Sequence, residues 1–233
     1  MKKPRPILLE NGKIGNIFIK KMIDSHFIFN QKIILASASQ TRLHLLQQAG
    51  FLVTAMPAYI DETAIKQTIP KPQTGMGEAM AMRLAELKAE KISKQYPNDM
   101  VLAADQLLIL PKTDGGEQWF DKPKNLDVAK HHLRTLSGKT HFLATALVMY
   151  QAGGAIWRVL EKPTLTCWNF SDAFIDDYLS RVGEGVLLSV GSYQLEGLGI
   201  RLFSNIDGDY FSILGVPLLP LLCQLRLMTE EAN

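Results

Sequence analysis

Between Val101 and Leu110 the chain reads Val-Leu-Ala-Ala-Asp-Gln-Leu-Leu-Ile-Leu, an apolar run interrupted by one acid and one amide. A run of this length, apolar on both faces, predicts a strand buried inside a sheet. An ionised carboxylate in such a place is costly unless it is paired or bound to metal. Sheet ends are also where α/β enzymes place catalytic acids. Asp105 is therefore the sharpest candidate for chemistry in the sequence, with a buried structural acid as the plainer alternative.

The surroundings of that strand predict an α/β domain. Ile33–Ala36 reads as a short buried strand, Ser37-Ala38-Ser39 as a small-residue loop, and 42–49 as a helix ending before Gly50. Phe51–Ala55 returns as a strand. Residues 78–94 form the clearest helix, with Leu84, Leu87 and Ile92 on one face and charges on the other. Asp114-Gly115-Gly116 predicts a turn between antiparallel strands, and 127–136 a further helix. A long hairpin, 142–150 with 155–169, turns at Gly153-Gly154. A helix capped by Ser171 runs to Arg181, and a glycine-rich stretch of flexible loops spans 183–199. A largely buried helix, leucine-rich all round, covers 216–228.

No linker or repeat divides residues 31–233, which read as one α/β domain with two lobes and a central cleft. Residues 1–30 lack a period or clear helix signals and read as a poorly ordered extension, with Met22 as an alternative initiator. The apolar run of a signal peptide is broken by Asn11, Lys13, Asn16, Lys20 and Lys21, and no stretch reaches the ~18 apolar residues of a membrane span. A cytoplasmic protein without membrane partners is expected. The formal net charge of +2 implies no basic face for long nucleic acid. Cys167 and Cys223 form no CxxC pair and read as small buried apolar residues.

Phosphate-loop, dinucleotide-fold, HExxH and GxSxG signatures are all absent. The pair His131-His132 has no matching ligand spacing and reads as solvated helix surface. Ser37-Ala38-Ser39, opening a helix, would present free backbone N–H groups to an anion, and Arg42 one turn later would add a charged grip. A plain N-cap with a surface arginine accounts for the same residues equally well. Asp61-Glu62 supplies two more carboxylates, which alone read as solvated loop.

The order of these pieces resembles the Maf family of nucleotide pyrophosphatases over about residues 32–227. The matching segments are Leu35–Ser39 with Arg42, Asp61-Glu62-Thr63, Arg83-Leu84-Ala85 with Lys88-Ala89, and Ala104-Asp105. They continue through Lys122-Pro123, Ser137-Gly138 with His141 and Thr145, Gly197, Ile206–Tyr210 and Gly215–Leu218. The resemblance implies a mixed, twisted sheet flanked by helices, with a cleft between lobes, in a family that is often dimeric. A homodimer is thus among the expectations.

It also implies hydrolysis of nucleoside triphosphates to monophosphate and pyrophosphate. Asp105 would be the acid–base that activates water, and Ser37, Ser39, Arg42, Lys88 and Lys122 would line the triphosphate. Glu62 with Asp105 would hold a divalent cation, Mg²⁺ or Mn²⁺.

The chain departs from the family pattern at Ser39-Gln40-Thr41-Arg42, where a serine-proline-arginine-arginine start is common. Ser189, Gln106 and Glu196 stand where the uridine/thymidine branch carries lysine, threonine and glutamine. Gln106 and Glu196 instead resemble the branch that prefers 7-methyl-GTP, while Thr41 fits neither. Specificity is therefore expected at Thr41, Gln106 and Glu196. Two alternatives use the same cleft: a non-catalytic nucleotide-binding regulator of division and a phosphomonoesterase.

Overall fold

A computed structural model describes residues 32–69 and 72–230 of the chain. The apolar run forms the strand β3 (Met100–Pro111), 12 residues long, and its neighbours organise everything else. In chain order the elements before it are β1 (Lys32–Leu35), α1 (Gln40–Gln48), β2 (Leu52–Ala55), α2 (Glu62–Gln67) and α3 (Met76–Gln95). After it come β4 (Glu117–Phe120), α4 (Leu126–Leu136), β5 (Thr140–Gln151), β6 (Gly154–Glu161), β7 (Thr164–Cys167) and α5 (Asp172–Val182). Three short 3₁₀ turns, Gly183–Leu188, Val190–Ser192 and Leu198–Leu202, lead into β8 (Phe203–Asp207), α6 (Tyr210–Ile213) and α7 (Leu218–Glu230).

Among the described residues these strands make one mixed sheet in the order β2-β1-β3-β5-β7-β8, with β4 beside β3 and β6 beside β5. β1 runs parallel to both β2 and β3, and the remaining pairings are antiparallel. One edge of β3 is paired with β5 from Val101 to Ile109. The other edge is divided: β1 takes its first residues, up to Leu102, and β4 takes Leu108–Pro111. Between those two partners lies the centre of the strand, and with it Asp105.

Alternation along β3 sends Ala103, Leu107 and Ile109 to the face covered by α3, where Ala81, Leu84, Ala85 and Ala89 are fully buried. The alanines let the helix lie close to the sheet. On the opposite face Leu102 and Ala104 meet Leu45 and Leu46 of α1 and Leu221 and Leu225 of α7. Further along that face, Leu108 and Leu110 meet Leu133 and Leu136 of α4 and Ile175 and Leu179 of α5. Helix starts follow local chemistry: the side chains of Ser39, Asn125 and Ser171 each accept a backbone N–H of the first turn.

The predicted hairpin forms, but its second strand breaks at Lys162-Pro163 into β6 and β7, a proline lacking the N–H a ladder needs. The glycine-rich stretch is not a set of flexible loops; its 3₁₀ turns bury Val186, Gly191 and Ser192. The last helix is one-sided rather than buried all round, since Leu219 and Leu227 are exposed while Leu218, Leu221 and Leu225 are buried. Cys167 is buried as expected, but Cys223 is exposed. His131 is solvated as expected, whereas the half-buried ring of His132 meets the Phe120 ring edge-on at 5.0 Å. The expected extension, residues 1–30, lies outside the described residues. No helix among the described residues is long and apolar enough to cross a membrane.

Candidate active site

The gap along the edge of β3 opens into a cavity of about 590 Å³. Its lining includes all ten residues expected to bind or act: Ser37, Ser39, Thr41, Arg42, Glu62, Lys88, Asp105, Gln106, Lys122 and Glu196. They come from the β1–α1 loop, α1, α2, α3, β3, the loop after β4, and the segment before the third 3₁₀ turn.

Asp105 shares the α3-facing side of β3, and Lys88 lies one turn beyond Leu84 on the packed face of α3. Lys88 Nζ donates to Asp105 Oδ1 at 2.5 Å and also reaches Glu62 Oε1 at 2.6 Å, so one ammonium joins two carboxylates. Among the described residues, Lys88 is the only group that bonds the Asp105 carboxylate. Asp61 caps α2 through Ala64 N–H and so sets Glu62 in the first helical turn.

The two acids are driven apart in basicity. Burial pushes the Asp105 carboxyl above the usual carboxylate range, and Glu62 adds to that push against the pull of Lys88 and Arg42. Burial acts on Glu62 in the same sense, but Lys88, with Lys66 and Arg42, outweighs it and holds Glu62 below that range. One carboxylate is thus kept basic beside another kept ionised, the pattern of a divided acid–base pair.

Arg42 takes the backbone acceptor left over by the divided sheet edge. Its Nη1 donates to Ala104 O at 2.6 Å and to Ser37 Oγ at 3.3 Å. Gly215, with φ 100°, makes room for the guanidinium: a Cβ there would stand 2.9 Å from Arg42 Nε. Burial lowers the pKa of Arg42, offset by Asp105 and Glu62, and a guanidinium stays charged regardless. The β1–α1 loop offers fewer free donors than its sequence implies. Ser39 N–H is bonded by Ser37 Oγ and Arg42 N–H by Ser39 Oγ. Lys122 joins the cationic side, its pKa lowered by burial and by Arg42.

Gln106 points to the other face, and its amide nitrogen is committed. Nε2 meets Thr145 Oγ1 at 2.8 Å and the carbonyls of Ser212 and Ile213 at 3.1 and 3.0 Å. Glu196 is exposed on the cavity wall. Sequence reasoning passed over Lys66, whose Nζ contacts Asp121 at 2.5 Å across the cavity mouth. Its signal was present in the i,i+4 spacing to Glu62.

Behind the cavity, His141 is 1% exposed and its Nε2 pairs with Tyr193 OH at 2.9 Å, while Nδ1 is buried without a partner among the described residues. Burial lowers its pKa to about 4. The unfolded chain, titrating near 6.5, binds a proton that the folded chain refuses between these values. His141 therefore lends stability that is complete above about pH 6.5 and lost as pH falls toward 4. The total is about 3 kcal/mol by proton linkage. Urea unfolding at pH 7 and pH 4.5 should show a smaller acid-induced loss for His141→Gln than for the parent. Equal losses would remove His141 from the acid response.

The sequence profile of the Maf-like protein family matches residues 32–228. A "Nucleoside triphosphate pyrophosphatase" of Granulibacter bethesdensis is 46% identical over 195 residues, covering 84% of this chain and 96% of its own length. A "7-methyl-GTP pyrophosphatase" of Rhizobium etli is 44% identical over 195 residues, covering 84% of this chain and 95% of its own.

Proposed function

For a chain that belongs to the Maf-like protein family, we propose that this cleft hydrolyses nucleoside triphosphates to the monophosphate and pyrophosphate. The observation that carries the reading is the pair of carboxylates, one raised and one lowered in pKa, joined through Lys88 beside the open edge of β3.

In the proposed reaction Asp105 takes a proton from water as its oxygen forms a bond to the α-phosphorus. The bond from the α-phosphorus to the bridging oxygen of the β-phosphate breaks, and pyrophosphate leaves. Arg42, Lys88 and Lys122 hold the phosphate oxygens and the charge that grows on the leaving group. Ser37 and Ser39 set the start of α1, and Ser37 helps to place the Arg42 guanidinium.

A divalent cation is part of this reading, although Lys88 Nζ lies between the two carboxylates that would hold it. Glu62 and Asp105 would hold it, and no group of three metal-binding side chains occurs among the described residues. Mg²⁺ commonly takes one or two carboxylates and completes its shell with substrate phosphate. It would supply screening of the phosphate charge.

The two relatives named above differ in substrate name and hardly in identity, so the base is read from the cleft wall. Glu196, acceptor-only when ionised, matches the two adjacent donors of a guanine edge, and 7-methylation adds positive charge to that base. Thr41 also lines the cavity, whereas Gln106 has its amide nitrogen occupied.

Purified protein with Mg²⁺ or Mn²⁺ should release pyrophosphate from a nucleoside triphosphate. Orthophosphate alone, or no turnover across a nucleotide panel, would overturn the reading. In the same panel, Glu196→Gln should move kcat/KM from 7-methyl-GTP toward UTP or dTTP by about 5- to 150-fold. An unchanged ranking would leave Glu196 a wall residue only.

A further inference from the structure

Among the described residues, the two most exposed large apolar side chains are Tyr59 at 83% and Leu188 at 67%. Both line the active-site cavity, and no other large apolar side chain of comparable exposure does. Their neighbours are anchored on different core clusters. Tyr59 follows Ala58, which is buried in the cluster on the α3 face, and precedes Ile60, packed against the same cluster. Leu188 lies between Leu187 and Val190, which pack on the cluster of α4 and α5.

Tyr59 is also one of three non-glycine residues with positive φ among the described residues. Its φ of 42° lies in the left-handed region, an outlier for an aromatic residue. The position is nonetheless fixed, because Lys91 Nζ holds the Tyr59 carbonyl at 3.0 Å and Ala58 is 3% exposed. A turn alone would favour glycine or asparagine here, and the ring is left 83% exposed. Strain retained at the lip of a cleft points to a ligand.

The two exposed side chains and the cations of the cavity divide a nucleotide between them. Arg42, Lys88 and Lys122 suit its phosphates; a flat ring with a π-face suits Tyr59. We propose that Tyr59 and Leu188 form an apolar clamp across the cleft mouth, Tyr59 stacking on one face of the nucleobase and Leu188 covering the other. The inference rests on the reading of the cleft as a nucleotide site, and it assigns the base-binding surface within it. A base made cationic by N7 methylation gains a further attraction to the tyrosine face.

The test compares the parent with Tyr59→Asn, Tyr59→Phe and Leu188→Ala in the full chain. Asparagine accepts the left-handed backbone, so Tyr59→Asn should keep the parent melting temperature while losing the ring. Its KM for 7-methyl-GTP should rise about 5- to 150-fold, the range for one base–aromatic stack, with kcat changed less than about threefold. Tyr59→Phe should restore KM, and Leu188→Ala should raise it in the same direction. Inorganic tripolyphosphate, which has no base, serves as the control: its inhibition constant should be the same in all four proteins. Unchanged nucleotide KM in Tyr59→Asn, or equal weakening of tripolyphosphate, overturns the clamp. Failure of the parent to release pyrophosphate, or to be inhibited by tripolyphosphate, overturns the nucleotide reading itself, so the two failures are distinct.

Discussion

Replacing Asp105 by asparagine will lower turnover by about 10²–10⁴-fold, the usual contribution of a general base, and leave the fold in place. The amide has the shape of the carboxylate but cannot take the proton from water. Lys88 keeps Glu62 at 2.6 Å, so the exchange orphans no cation. Burial already makes the Asp105 charge unfavourable, and its removal should leave stability equal or higher. Single-turnover rates on the nucleotide that the parent turns over best, with denaturant midpoints alongside, check both halves. Near-parent turnover would remove Asp105 from the chemistry, whatever happened to stability.

Lys88→Met should harm both activity and the fold. With the ammonium gone, Asp105 and Glu62 face one another with Arg42 as the remaining cation close to both. Breaking a buried pair from one side costs about 3–5 kcal/mol in general. The lower end applies here because the Glu62 side chain is 39% exposed. The loss should depend on pH in a definite sense. Asp105 already holds its proton more tightly in the folded chain than in the unfolded one, and losing Lys88 strengthens that preference. As pH falls, the folded variant gains its proton first, so the stability deficit should shrink from pH 8 to pH 5. Turnover should drop at least 100-fold at either pH, the low end for a lost transition-state contact. A deficit that stays constant with pH, or a variant as stable as the parent, would show that Lys88 does not balance these two acids.

These expectations trace back to residues that differ in how openly the sequence displays them. Asp105 stands out because a charge inside an apolar run violates the burial rule, and no knowledge of the fold is needed to see it. The caps at Ser39 and Ser171 are equally open, each being a short-range hydrogen bond between neighbours in sequence. Glu62 and Lys88 are different. Locally they read as a solvated acid and one charge among many on a helix, and resemblance alone suggested a role. Only tertiary packing, which brings α3 onto β3 and α2 to Lys88, joins them to Asp105, a long-range relation that no window of sequence contains. Helix α2 was missed because its six residues are too few to show a period. The divided edge of β3 was invisible for a similar reason, since strand order is decided by tertiary pairing.

The 3₁₀ turns after α5 eluded reading because glycines punctuate without indicating what comes between them. Gly191 is the instructive case: a Cβ there would come within 2.4 Å of Leu108 Cδ1, so the residue answers to close packing rather than to looseness. The last helix misled in the opposite way, its leucines suggesting burial all round where the sheet offers only one side. Tyr59 gave no signal, because its meaning lies in a backbone angle and in what it fails to touch.

The divided edge of β3 also constrains how the enzyme can breathe. Both sides of the cleft are built on β3 and β5, which pair without interruption from Val101 to Ile109. A hinge between the sides would have to shear that ladder, bond by bond, through Asp105, the residue proposed as the base. Swinging the halves apart is therefore unfavourable. Whatever opens for substrate and product then belongs to exposed side chains at the borders of the gap, Tyr59 and Leu188 among them. Turnover limited by release would then respond to substitutions in these borders and be indifferent to the sheet.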